Sequence, residues 1–299
     1  MKVNLLAQAN MKFLLSIGPM LRMAALVVAL SQATAAENKR DALTIRVAQG
    51  GWGDASVENI EQVLRSAAEQ IHRFCPVTPK PILVEHGSGS PVVFYRKGPN
   101  GETLVKLNVT GRYWAQFAYQ FAHEFCHICC GYQNNQGRTN LNQWFEESLC
   151  ETASLFAIRR MAVAWKTNPP YPNWRDFAKH LDSYAANLLE APERKLPPGT
   201  TFASWFALNE SKLRENGGCN RTLNGVVANN VLLPLLEKNP ENWGAIASLN
   251  EHSTPPPGGF AEYLAAWQSA APQQYHGFIK QIGAAFGMKP LPSAAPQKQ

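Results

Sequence analysis

The stretch His123-Glu124-Phe125-Cys126-His127, preceded by Tyr119, Phe121 and Ala122, reads as part of a helix over residues 113–130. Spacing of i and i+4 puts both imidazoles on one face of that helix, one turn apart, so both can reach one zinc ion at about 2.0–2.1 Å. Glu124 stands beside the first imidazole and can reach toward a metal-bound water rather than the metal, the position of a general base. In a chain with 7 His and 22 acidic residues, chance supplies such a match only roughly 0.01 times.

A catalytic zinc site needs a third protein ligand and an open fourth position. Candidates follow in Trp144-Phe145-Glu146-Glu147-Ser148-Leu149-Cys150-Glu151, within a helix expected over 141–165. The polar loop from Tyr132 to Asn142 permits the two helices to pack antiparallel. Glu147 and Glu151 share a face by their i, i+4 spacing, so one can bind the metal while the other accepts a hydrogen bond from the outer nitrogen of a ligating His.

A His-Glu-x-x-His helix followed by an acid in a Trp-x-x-Glu-(small)-x-x-Glu helix resembles the gluzincins, the zinc metallopeptidase group that includes thermolysin and the aminopeptidase-N-like enzymes. The resemblance covers about residues 91–160. It implies a zincin-like fold with His123, His127 and Glu147 as metal ligands, Glu124 as catalytic base, Glu151 as supporting partner of His123, and one zinc per chain. Glu146 competes with Glu147, because the aminopeptidase-like spacing favours Glu146 while the offset from Trp144 favours Glu147. The run over 104–109 takes the position of the family's edge strand, which binds an extended substrate backbone. Two family features are missing. There is no Gly-x-Met-Glu-Asn signature, and no Tyr stands in Arg221-Thr222-Leu223-Asn224-Gly225, where an oxyanion-stabilising Tyr is expected. Tyr171, Tyr184, His180 and Arg221 are candidate replacements.

Outward from the motif, residues 43–110 mix strand and helix. Strands are expected over 43–47, 81–85, 91–95 and 103–109, the last two joined by the hairpin signal Gly98-Pro99-Asn100-Gly101. A helix over 56–74 opens at Ser56, with Ile60, Val63, Leu64, Ala67, Ala68 and Ile71 on one stripe. Beyond Gly111 only helices are expected, over 113–130, 141–165, 173–190, 201–215, 222–237, 240–249, 259–270 and 272–286. A small sheet followed by helices is an α+β arrangement. The expected division is a zincin-like metal-binding part over 37–165, a helical part over 166–288 and a disordered tail over 289–299.

The 299 residues carry a formal net charge of +6. Much of that excess lies in the first 36 residues, where Lys2, Lys12 and Arg22 flank an apolar run over 23–30 that ends in small residues at Ala33 and Ala35, a signal-peptide pattern. A secreted or periplasmic chain is expected, with no stable membrane span after cleavage. Six cysteines in an oxidising compartment make one to three disulfides plausible, including Cys126 or Cys130 with Cys150. No Gly-rich phosphate loop or clustered basic patch appears, so neither nucleotide nor nucleic acid is expected as partner. The sequence thus points to an exported zinc metallopeptidase acting on a peptide or protein substrate. Two alternatives use the same residues: a zinc-bound but non-catalytic binding or scaffold domain, and a hydrolase of non-peptide amides.

Overall fold

A computed structural model describes residues 43–251 and 258–289. By its contacts the chain divides into Met1–Ala42 and Leu43–Gln299, and all described residues fall in the second unit. The expected signal peptide at 1–36 and the tail beyond Lys289 lie outside the described residues. The architecture is mixed α+β, 61% helical, with a small four-stranded sheet on the N-terminal side.

Strand β1 (Ile45–Val47) leads through helix α1 (Val57–His72) to strand β2 (Ile82–His86), which pairs parallel to β1. As expected, Ser56 caps α1 by accepting from the Asn59 amide at 3.3 Å, and the Ile60 to Ile71 stripe is buried. Strands β3 (Val92–Lys97) and β4 (Thr103–Leu107) form the expected hairpin. Sheet order is β1-β2-β4-β3, because β4 inserts parallel to β2. The edge strand beside the hairpin is therefore β3, which corrects the expectation that 104–109 forms the edge. Both faces explain the choice. Leu104, Val105 and Leu107 of β4 are buried, whereas β3 exposes Tyr95 and Arg96, a pattern that tolerates an open edge.

Helix α2 (Trp114–Cys129) carries the motif and stops at Gly131, whose φ of 71° suits a residue without a side chain. Helix α3 (Gln143–Ala164) is the central helix. Helices α1 and α2 pack on it, as do α4 (Ala178–Glu190) and α6 (Arg221–Val227). Burial on almost every side explains why its sequence lacks a clean polar face. The expected boundary at 165/166 falls just after α3, and the helices beyond it fold back onto α3.

The remaining elements are α5 (Phe202–Leu213), α7 (Leu233–Lys238), α8 (Phe260–Ala270) and α9 (His276–Ala285). Aromatic rings from α5, α8 and the end of α9 close over the start of α3. Phe260 lies 4.6 Å from Trp144 and 4.9 Å from Phe145, and Phe286 lies 4.7 Å from Phe206. Three expected helices are altered. The one over 222–237 is interrupted by a π-turn, Ala228–Leu232, because Pro234 has no amide to donate and its ring would crowd the preceding turn. The ones over 173–190 and 240–249 are 3₁₀ over Pro172–Phe177 and Pro240–Ser248, each opened by a proline.

Candidate metal centre

Antiparallel packing of α2 on α3 sets which side chains meet, since one turn forward on α3 faces one turn back on α2. Glu147 faces both motif histidines. His123 Nε2 lies 3.2 Å from Glu147 Oε2, and His127 Nε2 lies 3.5 Å from Glu147 Oε1. The two rings are 5.2 Å apart. Glu146 takes a different part. Its Oε1 lies 2.7 Å from His127 Nδ1, and its Oε2 accepts from Asn135 Nδ2 at 3.2 Å and Asn250 Nδ2 at 2.9 Å.

A carboxylate only accepts, so the proton between His127 and Glu146 sits on Nδ1 and leaves Nε2 facing Glu147. Two imidazole nitrogens and one carboxylate thus converge, with a buried carboxylate holding one ring from behind, a donor set that suits zinc. Burial raises the Glu147 carboxyl, but the His127 charge and the His123 hydrogen bond outweigh it and hold the group down to about 2. Burial likewise opposes a charged His127, yet Glu147 and Glu146 carry its proton affinity well above the ordinary imidazole value.

Cys150 competes for the third place. Its sulfur and one nitrogen of each motif His lie within 4.8 Å of one another. Burial pushes this thiol well above the usual cysteine range, so an ion bound there has to displace its proton. Glu147, already ionised, is the readier donor.

Glu124 is buried beside the pair, where burial raises its carboxyl and the two histidines and the Val93 backbone amide pull it back. Contact with Val93 puts the candidate base against the edge strand β3. Glu151 does not support His123. One turn beyond Glu147, it meets Tyr119, one turn before His123, and accepts from the Tyr119 hydroxyl and the Arg194 guanidinium. The i, i+4 spacing was correct for the shared face, but antiparallel register assigns each acid a different partner.

A cavity of about 420 Å³ joins these groups, lined by His123, Glu124, His127, Glu146, Glu147 and Glu151 together with Val92, Val93 and Tyr95 of β3. Among the four replacements for the missing Tyr, only Arg221 lines it. Tyr171 packs on Trp174 at 5.0 Å, while Tyr184 and His180 line a separate cavity of about 310 Å³. Tyr95 and Tyr132 do line the site, with rings stacked at 5.6 Å. Sequence reasoning passed over both. Tyr132 stood in the loop just after the motif helix and Tyr95 in the hairpin, and position beside the motif was the signal.

All six cysteines are unbridged. Cys126 Sγ lies 4.0 Å from Cys130 Sγ and also touches Cys150, and the Cys129 thiol touches Cys75. Cys126, Cys130 and Cys150 thus form one cluster, with the Cys150 sulfur within 4.8 Å of a nitrogen of each motif histidine. Comparison of the sequence with protein-family models finds no match, and comparison with curated proteins finds none either.

Proposed function

We propose that this chain is a zinc-dependent peptidase in which His123, His127 and Glu147 hold the ion and Glu124 is the general base. The observation that carries this reading is the convergence of both Nε2 atoms on one Glu147 carboxylate, with Glu124 buried alongside. Zinc bound there supplies a Lewis acid, which acidifies water and polarises a carbonyl. Glu124 takes the proton of the attacking water on its carboxylate and passes it to the leaving amine. The open edge of β3, in contact with Glu124 through Val93, offers backbone groups to an extended peptide. The basic flank and apolar run within residues 1–36 support a cleaved leader and so a secreted or periplasmic setting.

Metal analysis of purified protein beside Glu124→Gln tests the reading. The expected result is about one zinc per chain in both proteins and hydrolysis of a peptide library only by the wild type. A wild type without metal overturns it.

A further inference from the structure

Among the described residues the cavity is lined by four carboxylates and a single Lys or Arg side chain, Arg221. None of the carboxylates beyond the candidate base needs that charge. Glu146 is bonded to His127, Asn135 and Asn250, Glu147 faces both motif histidines, and Glu151 is paired with Arg194. The Arg221 guanidinium makes no hydrogen bond or ion pair among the described residues.

Its place is built rather than incidental. The segment before it, Asn216 to Asn220, is pressed onto the start of α3. Gly218 has φ +84°, and a Cβ there would lie 2.3 Å from the Trp144 backbone nitrogen, so no other residue fits. Asn216, with φ 51°, is the one non-glycine residue in the left-handed region among the described residues. Asn224 Nδ2 donates to the Gly218 carbonyl at 2.8 Å, and the Asn220 side chain accepts from the Leu223 amide at 3.2 Å. Cys219 in this segment touches Glu147, and the Arg221 charge reaches the Cys219 thiol. The backbone that carries Arg221 is thereby fixed beside Glu147, and its exposed side chain lines the same cavity as that carboxylate.

We propose that Arg221 is a specificity-determining residue that docks a substrate carboxylate, so that the preferred substrates are peptides carrying a free carboxylate next to the bond being cleaved. This rests on the peptidase reading above and names its substrate class. An arginine fork receives a carboxylate bidentately, and the β3 edge holds the extended backbone that delivers it. The carboxylate belongs either to the peptide C-terminus or to an Asp or Glu side chain, and both present the same chemistry.

The test uses four fluorescent tetrapeptides that differ only in a free or amidated C-terminus and in Glu or Gln at the third residue. Binding to the zinc-treated Glu124→Gln protein is titrated, alone and combined with Arg221→Gln or Arg221→Lys, and cleavage is followed in the corresponding chains with Glu124 intact. The expected result is binding about 10- to 100-fold tighter for at least one carboxylate peptide than for its neutral counterpart. Arg221→Gln then binds both at the neutral level, and Arg221→Lys falls between. Preference for the free C-terminus assigns the terminal carboxylate, and preference for Glu assigns the side chain.

Equal binding of all four peptides overturns the proposal, as does discrimination that survives Arg221→Gln. Zinc content, measured on the same samples, separates the two readings. Zinc with no carboxylate preference removes only the role of Arg221, and an Arg221-dependent preference without zinc removes only the peptidase reading.

Discussion

Asn250 donates from Nδ2 to Glu146 Oε2 at 2.9 Å across 104 residues of sequence. The other oxygen of that carboxylate holds His127 Nδ1 at 2.7 Å. A residue beyond the 3₁₀ segment Pro240–Ser248 therefore helps to orient an imidazole on α2, with Glu146 as the relay.

Asn250→Ala is expected to weaken metal binding about 10- to 100-fold, because Glu146 Oε2 then keeps only Asn135 as side-chain donor to steady the carboxylate behind His127. Competition of the purified variant against a zinc chelator measures this, and circular dichroism checks that the fold persists. Unchanged affinity would mean that Asn135 alone fixes the carboxylate.

Glu146→Gln and Glu147→Gln should part company. Glu147 faces both Nε2 atoms, whereas Glu146 touches only the outer nitrogen of His127. Loss of Glu147 is expected to abolish zinc retention through dialysis, and loss of the Glu146 charge to leave a weakened but saturable site. If the two outcomes are reversed, the ligand is Glu146.

The metal-free chain should be most stable between about pH 4.5 and 6.5. His127 is raised above its ordinary 6.5, so its contribution is complete below that pH and is lost as pH rises through the folded value. Glu124, raised by burial from 4.5, contributes stability that is complete below 4.5 and is lost as pH rises through its folded value, which erodes the acidic end of this window. Glu147 is lowered from 4.5 to about 2, so its contribution is complete above 4.5 and is lost as pH falls through about 2. Melting temperature of chelator-treated protein should accordingly decline on both sides of this window. Zinc displaces the His127 proton, so zinc affinity should climb with pH over the alkaline side. A melting temperature that rises between neutral and mildly alkaline pH would contradict the His127 assignment.

Arg194→Met is expected to cost about 3–5 kcal/mol in urea unfolding. The change leaves Glu151 buried with Tyr119 as its remaining partner, and side chains at 151 and 194 are only 4% and 10% exposed. The double variant Glu151→Leu/Arg194→Met should recover much of the loss, since no buried charge is then left unpaired. A single variant as stable as the wild type would show that the pair is solvated.

Much of the local structure was legible before any coordinates. Ser56 begins α1 because its hydroxyl serves an orphan amide, and Gly98 to Gly101 turns β3 into β4 because that stretch supplies the turn residues a hairpin needs. The break before Pro234 is hidden in the sequence, because the apolar periodicity around it reads as one continuous helix over 222–237 and masks the missing amide. Sheet order was not legible. Alternation tells which face of a strand is buried, while its neighbours depend on contacts distant in sequence, so the pattern alone does not reveal that β3 rather than β4 is the edge.

By itself, the sequence determined that two imidazoles and a neighbouring carboxylate share one helix, and that three acids stand on the next. Helical periodicity is a property of the backbone, so i and i+4 positions align wherever the helix packs. Only the tertiary structure decided what each acid does. Glu146, Glu147 and Glu151 have similar intrinsic chemistry, and the antiparallel register of α2 and α3 gives one to the His127 Nδ1 side, one to the Nε2 atoms of both histidines and one to Tyr119 and Arg194. The same packing brought Asn250 to the site from a sequence position that carries no sign of it, and it selected Arg221 from the four candidate replacements.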